Sequence, residues 1–138
     1  MRLLLLFVAL LLAACVTTKS NVLAQTLVLT EQDNNKPLSI SVGEFVVIRF
    51  SENPTTGYVW AIDGQTELLV LKSSDYVSDM PPINEQGAVR VGGGGKCTFT
   101  FVAQKSGAAI LKLKHWRPWE GNSSIVDTFS IPVKIEVK

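Results

Sequence analysis

The stretch Phe129-Ser130-Ile131-Pro132-Val133-Lys134-Ile135-Glu136-Val137 decides the fold class. Its apolar residues fall at every second position. In an extended chain that puts Phe129, Ile131, Val133, Ile135 and Val137 on one face and the intervening residues on the other. On a helix the same residues would spread around the axis, so the pattern reads as a half-buried strand. Pro132 has no amide hydrogen to give a neighbouring strand, so the stretch is expected at a sheet edge or a bulge.

The same signal recurs at short intervals toward the N-terminus. Ala109, Leu111 and Leu113 share one face of a preceding strand, and Cys97, Phe99 and Phe101 share one face of a strand over residues 96–102. Tyr58, Trp60 and Ile62 alternate with Val59 and Ala61. Residues 45–50 are rich in β-branched and aromatic side chains, while Leu38, Ile40 and Val42 alternate with serines. Residues 27–29 and 68–71 add two short apolar runs, residues 88–91 read as a further short strand, and residues 75–86, broken by Pro81 and Pro82, read as the longest irregular stretch. About eight short strands joined by Gly, Pro and Asn turns, with no amphipathic helix among them, predict an all-β sandwich or barrel. In such a fold the loops gather at the ends and carry the function.

The 138 residues suffice for one domain, and 46% apolar with 18% charged residues excludes a disordered chain. Arg2 followed by an apolar run over residues 3–12 fits an export signal, being shorter than the roughly 20 residues a membrane span needs. Leu12-Ala13-Ala14-Cys15 then resembles a bacterial lipobox, which implies cleavage before Cys15 and lipidation of its sulfur. An ordinary leader cut after Ala24 is the competing reading. The expected organisation is a signal at 1–14, a lipidated tether at 15–25 and a folded domain at 26–138. Val16, where an aspartate would favour the inner membrane, implies by the same resemblance an outer-membrane anchor facing the periplasm or the surface.

Removing a leader that contains Arg2 and no acid leaves twelve basic against twelve acidic residues, so no basic field exists to draw nucleic acid. With Cys15 lipidated, Cys97 is the one remaining thiol; no internal disulfide can form, and a buried structural cysteine is expected. His115 is the single histidine, which excludes a histidine metal cluster. No serine sits in a G-x-S-x-G turn. The run ending Gly95-Lys96 fails the phosphate-loop pattern, because Arg90 stands for the first glycine and Cys97 for Ser or Thr. Neither an enzyme nor a bound cofactor or metal is expected.

Three loops stand apart. Asn53-Pro54-Thr55-Thr56-Gly57-Tyr58 lies between two strong strands; Pro54 fixes φ, Gly57 permits a positive φ, and the tip offers two hydroxyls without charge. Gly92-Gly93-Gly94-Gly95 carries more glycine than a tight turn needs, which would let another backbone approach closely. His115-Trp116-Arg117-Pro118-Trp119-Glu120-Gly121 has the composition of a binding hot spot. Either tryptophan could instead fold back to cap the core, Trp116 more readily than Trp119.

Asn-Pro-Thr-Thr-Gly-Tyr at 53–58, Gly-x-Gly-Gly at 92–95 and Arg-Pro-Trp at 117–119, in that order on a β-rich chain, resemble the chagasin family of cysteine peptidase inhibitors. The likeness runs from about Thr26 to Lys138. It implies an immunoglobulin-like β-sandwich whose three loops form a wedge at one end, and reversible, tight inhibition of papain-like cysteine peptidases by a monomer. By the same resemblance Asn53, Pro54, Thr55, Thr56, Gly57 and Tyr58 enter the active-site cleft, Thr55 nearest the catalytic cysteine. Gly92, Gly93, Gly94 and Gly95 lie along the non-prime subsites; Arg117, Pro118 and Trp119 cover the prime side, Trp119 against an aromatic residue of the peptidase. Gly93 fills the free position of its motif, which predicts a looser second loop. A surface-anchored β-sandwich that binds another protein or a glycan through the same tryptophans is the competing function.

The anchor is directly testable. Mass spectrometry of the mature N-terminus is expected to find acylated Cys15, and an unmodified chain starting at Gln25 would refute the lipid.

Overall fold

The computed structural model describes residues 25–64, 67–80, 87 and 92–138. The leader with Cys15 and the strand expected at 88–91 lie outside the described residues. Among the described residues eight strands run in chain order as β1 (Thr26–Leu29), β2 (Leu38–Ser41), β3 (Phe45–Glu52), β4 (Val59–Ile62), β5 (Leu69–Ser78), β6 (Gly95–Ala103), β7 (Gly107–Trp116) and β8 (Asp127–Glu136). They form two four-stranded sheets, ordered β1-β3-β6-β5 and β2-β8-β7-β4. The pairs β1/β3 and β2/β8 are parallel and the other ladders antiparallel.

The alternation read from the sequence sets the core. Val46, Ile48 and Phe50 of β3, Cys97, Phe99 and Phe101 of β6, Leu111 and Leu113 of β7, and Phe129 to Ile135 at every second position of β8 are all buried. The two inner faces interlock through rings: Phe50 meets Phe129 edge-on at 5.1 Å and stacks on Trp60 at 3.9 Å. The chain crosses between sheets after β1 through a short 3₁₀ turn, Glu31–Asp33, closed by Thr30 N donating to Asp33 Oδ2 at 2.9 Å. Asn34 then docks on the second sheet, accepting from Ser130 N at 2.8 Å and donating to Thr128 O at 3.2 Å.

Three expectations need correction. β5 runs to Ser78, so residues 75–78, read as irregular, are strand. A register shift between Leu71 and Ser73 breaks the period of two, and the residues from Ser74 onward are exposed on both faces, so no hydrophobic alternation marks them. Second, β8 is an interior strand and its pairing to β7 runs unbroken through Pro132. Pro132 is tolerated because residues of equal parity point the same way in the sheet plane. Its nitrogen therefore faces the same flank as Ser130, where β2 begins pairing only at Val133. Third, Gly95 belongs to β6 and not to a loop.

Cys97 is 5% exposed. Burial, with the nearby carboxylates of Glu52 and Asp75, pushes its thiol up to about 12. Cys97 is therefore expected to resist iodoacetamide at pH 8 in the folded protein and to react fully in denaturant. Intact-mass measurement reads both states, and rapid labelling of the native chain would contradict the buried position.

Candidate functional site

Sheet pairing brings the three loops to one end. Loop 1 (53–58) leaves β3 after Glu52, which pairs with Gly95, where loop 2 (92–94) enters β6. β4 begins at Val59, which pairs with Trp116, where β7 ends and loop 3 begins.

Loop 1 is a single 3₁₀ turn, Pro54–Thr56, capped by Asn53 and closed by Gly57 at φ +81°. Asn53 Oδ1 accepts from Thr55 N at 3.3 Å and from Thr55 Oγ1 at 2.6 Å. Asn53 O accepts from Thr56 N at 3.1 Å and from Thr56 Oγ1 at 2.7 Å. Both threonine hydroxyls thus donate inside the loop, while the residues from Pro54 to Thr56 are exposed. The neck is held by the buried Glu52, whose Oε2 accepts from Trp60 N at 2.6 Å.

Loop 3 opens at Arg117, makes a 3₁₀ turn at Pro118–Glu120, bends at Gly121 and makes a second turn at Asn122–Ser124. The buried Ser124 ties its ends: Ser124 Oγ accepts from Arg117 N at 2.9 Å and lies 2.6 Å from Gly121 O, to which it donates. Trp119 is 70% exposed and Trp116 is half-buried.

Loops 1 and 3 are joined. Arg117 Nη2 donates to Thr56 O at 3.1 Å, its guanidinium lies 4.3 Å over the Tyr58 ring, and Nη1 pairs with Glu120 at 3.0 Å. The Trp119 indole rests on Gly57, where a side-chain carbon would come within 2.5 Å of Trp119 Cη2. Gly57 therefore serves two needs, a positive φ and a seat for the indole.

Loop 2 lies alongside the end of β5. Asp79 N donates to Gly94 O at 3.1 Å, extending the β5–β6 ladder by one step. Gly93 has φ +109°, and a side chain there would collide with the Met80 thioether. Gly95 is buried, and a side chain there would collide with Val77 O and the Tyr76 ring. Gly92 is exposed, and Gly93 and Gly94 are half-buried. Among the described residues no group of three His, Cys, Asp or Glu is placed to hold a metal ion.

Two supporting residues escaped the sequence reading. Glu52 shares the buried parity of Val46, Ile48 and Phe50, a signal that would have singled it out. Lys114 is buried on the outward parity of β7, and no periodicity marks it.

Known proteins of one family resemble this chain in both sequence and structure. The profile of the chagasin family peptidase inhibitors (I42) matches residues 39–133. Chagasin of Trypanosoma cruzi is 31% identical over 107 residues, covering 76% of this chain and 94% of that protein. Amoebiasin-1 of Entamoeba histolytica is 32% identical over 108 residues, covering 78% and 98%. The crystal structure of the cysteine protease inhibitor EhICP2 from Entamoeba histolytica superposes with a TM-score of 0.67 at 27% identity, covering 80% of this chain and 96% of that one.

The glycines give a stability test. Gly95→Ala is expected to destabilise by about 1–3 kcal/mol through overpacking. Gly92→Ala meets open space and is expected to cost only about 1 kcal/mol for its φ of +83°. Urea unfolding of both variants checks the order; equal midpoints would mean Gly95 is not packed as described.

Proposed function

This chain belongs to the chagasin family of peptidase inhibitors, and on that premise we propose that it blocks papain-like cysteine peptidases reversibly, filling the active-site cleft with its three loops. It is an inhibitor and not an enzyme. The observation that carries the reading is the tie between loops 1 and 3: Arg117 bonded to Thr56 O, and Trp119 seated on Gly57.

The physics suits occlusion without turnover. Loop 1 offers an uncharged tip, on which Thr55 would approach the catalytic cysteine with Thr56 beside it. Its backbone is a tight turn, whereas a thiolate attacks a carbonyl presented in near-attack geometry. Loop 2 would lie along the non-prime side through the backbone of Gly92, Gly93 and Gly94. Arg117, Pro118 and Trp119 would cover the prime side, with the exposed indole as the anchor. Loops already bonded in their binding shape lose little freedom on docking, which favours slow release. An interface of roughly 1,600 Å² suits a single copy of this size.

The fold also fits the proposed lipid anchor on Cys15. Thr26 pairs with Phe45 at the start of β3, while loop 1 leaves from its far end. A tether arriving at Gln25 enters at the pole opposite the loops, so an anchored domain would present its wedge away from the membrane.

The soluble domain, starting at Asn21, is expected to titrate papain one-to-one when cleavage of a fluorogenic peptide is followed. Trp119→Ala should weaken inhibition by more than ~2 kcal/mol, about thirtyfold. A folded domain that fails to inhibit at micromolar concentration would overturn the function; an unchanged constant for the variant would remove Trp119 from the site.

A further inference from the structure

Lys114 is the one buried lysine among the described residues, its side chain 11% exposed, and it lies outside all three loops. Burying an ammonium costs free energy that an apolar side chain of similar volume would not incur. The geometry shows what the charge gains. Lys114 Nζ lies 3.3 Å from Asp63 Oδ1, donates to Asn122 Oδ1 at 3.0 Å, and sits 3.9 Å from the Trp116 ring centroid. Those partners come from three segments: the residue after β4, the second turn of loop 3, and the end of β7.

Two of the three frame loop 3. Trp116 is the last residue before Arg117, and Asn122 is where the chain turns back toward β8. Between them lie Arg117, Pro118 and Trp119. An ammonium held by Asp63 thus fixes both feet of the segment that carries the exposed indole, and it fixes them to the sheet that also holds loop 1. A methylene stem could fill the same space but could not set the position of Asn122.

We propose that Lys114 is a positioning residue for inhibition: it touches no peptidase and acts by holding loop 3 in its binding shape. The inference rests on the reading of the three loops as the peptidase-binding end, and it adds a residue that belongs to none of the loop motifs.

The test is a double-mutant cycle on papain inhibition. Lys114→Met should raise the inhibition constant at least tenfold, chiefly through faster dissociation, and Lys114→Arg should recover most of the loss. In a Trp119→Ala background Lys114→Met should add less than threefold, because the anchor it positions is gone. Asn122→Ala, at an exposed position, should raise the constant at least threefold and covers the case in which Lys114→Met does not fold. Wild-type inhibition with unchanged constants for Lys114→Met and Asn122→Ala would overturn the proposal while leaving the function intact. Fully additive losses in the Trp119→Ala background would also overturn it, as a general loss of stability acts independently of the anchor. Failure of the wild type to inhibit would instead sink the function itself.

Discussion

Trp60 is the joint on which the loop-bearing end depends. Its ring stacks on Phe50 of the first sheet at 3.9 Å and 14°, and on His115 of its own sheet at 5.0 Å and 9°. Tyr58 leans on His115 at 5.7 Å, and the Arg117 guanidinium covers Tyr58. A continuous column of rings therefore runs from the core to the surface of loops 1 and 3. The Phe50–Trp60 stack adds about 0.5–1.5 kcal/mol beyond burial. More important here is direction: stacked planes fix the angle at which β4 leaves loop 1 and β7 enters loop 3. Glu52, bonded to the Trp60 amide, locks the same residue through its backbone.

This end is assembled at a polar cost. Trp60 Nε1, His115 Nε2, Trp116 Nε1 and Arg117 Nε are buried without a hydrogen-bond partner among the described residues. All four belong to β4, β7 or loop 3. A buried unpaired polar group costs roughly 1–3 kcal/mol, so ring stacking and burial must outweigh that loss locally. The opposite pole shows the reverse economy: Glu44 accepts from Ser41 N at 3.0 Å and pairs with Lys138, and a hydrogen bond from the Ser41 amide holds its carboxyl below the usual range.

Much of this was legible in the sequence because a half-buried strand writes its own period. β3, β6, β7 and β8 each bury chiefly one parity, Val47 and Lys114 being the exceptions, and their alternating residues identified the core and the sandwich. β5 was only half legible, since an edge strand with a bulge and two exposed faces leaves no alternation. The glycine run shows a different limit. Four adjacent glycines look alike on paper, yet Gly92 stands in open space, Gly93 lies against a thioether and Gly95 lies under a tyrosine. Their reasons differ because their neighbours, Tyr76, Val77 and Met80, come from the end of β5 and the residues just after it, which only the fold brings alongside. Lys114 was illegible for the same reason, as its partners Asp63 and Asn122 meet only in the folded chain.

Loop 1 shows how such a structure can sit at a peptidase without being cut. Cleavage needs the chain near Thr55 and Thr56 to open into an extended form that exposes a carbonyl to the thiolate. Opening would break the four hydrogen bonds to Asn53, the Gly57 N to Pro54 O bond at 2.9 Å and the Arg117 contact to Thr56 O. At about 1 kcal/mol each for the Asn53 bonds alone, the extended form would be populated roughly a thousandfold less than the turn. Pro54 cannot relax that turn by rotating about φ, and the indole on Gly57 blocks the left-handed residue from swinging out. The same contacts that shape the tip for a cleft thus withhold its peptide bonds from attack, and both properties follow from one capped turn held from behind by loop 3.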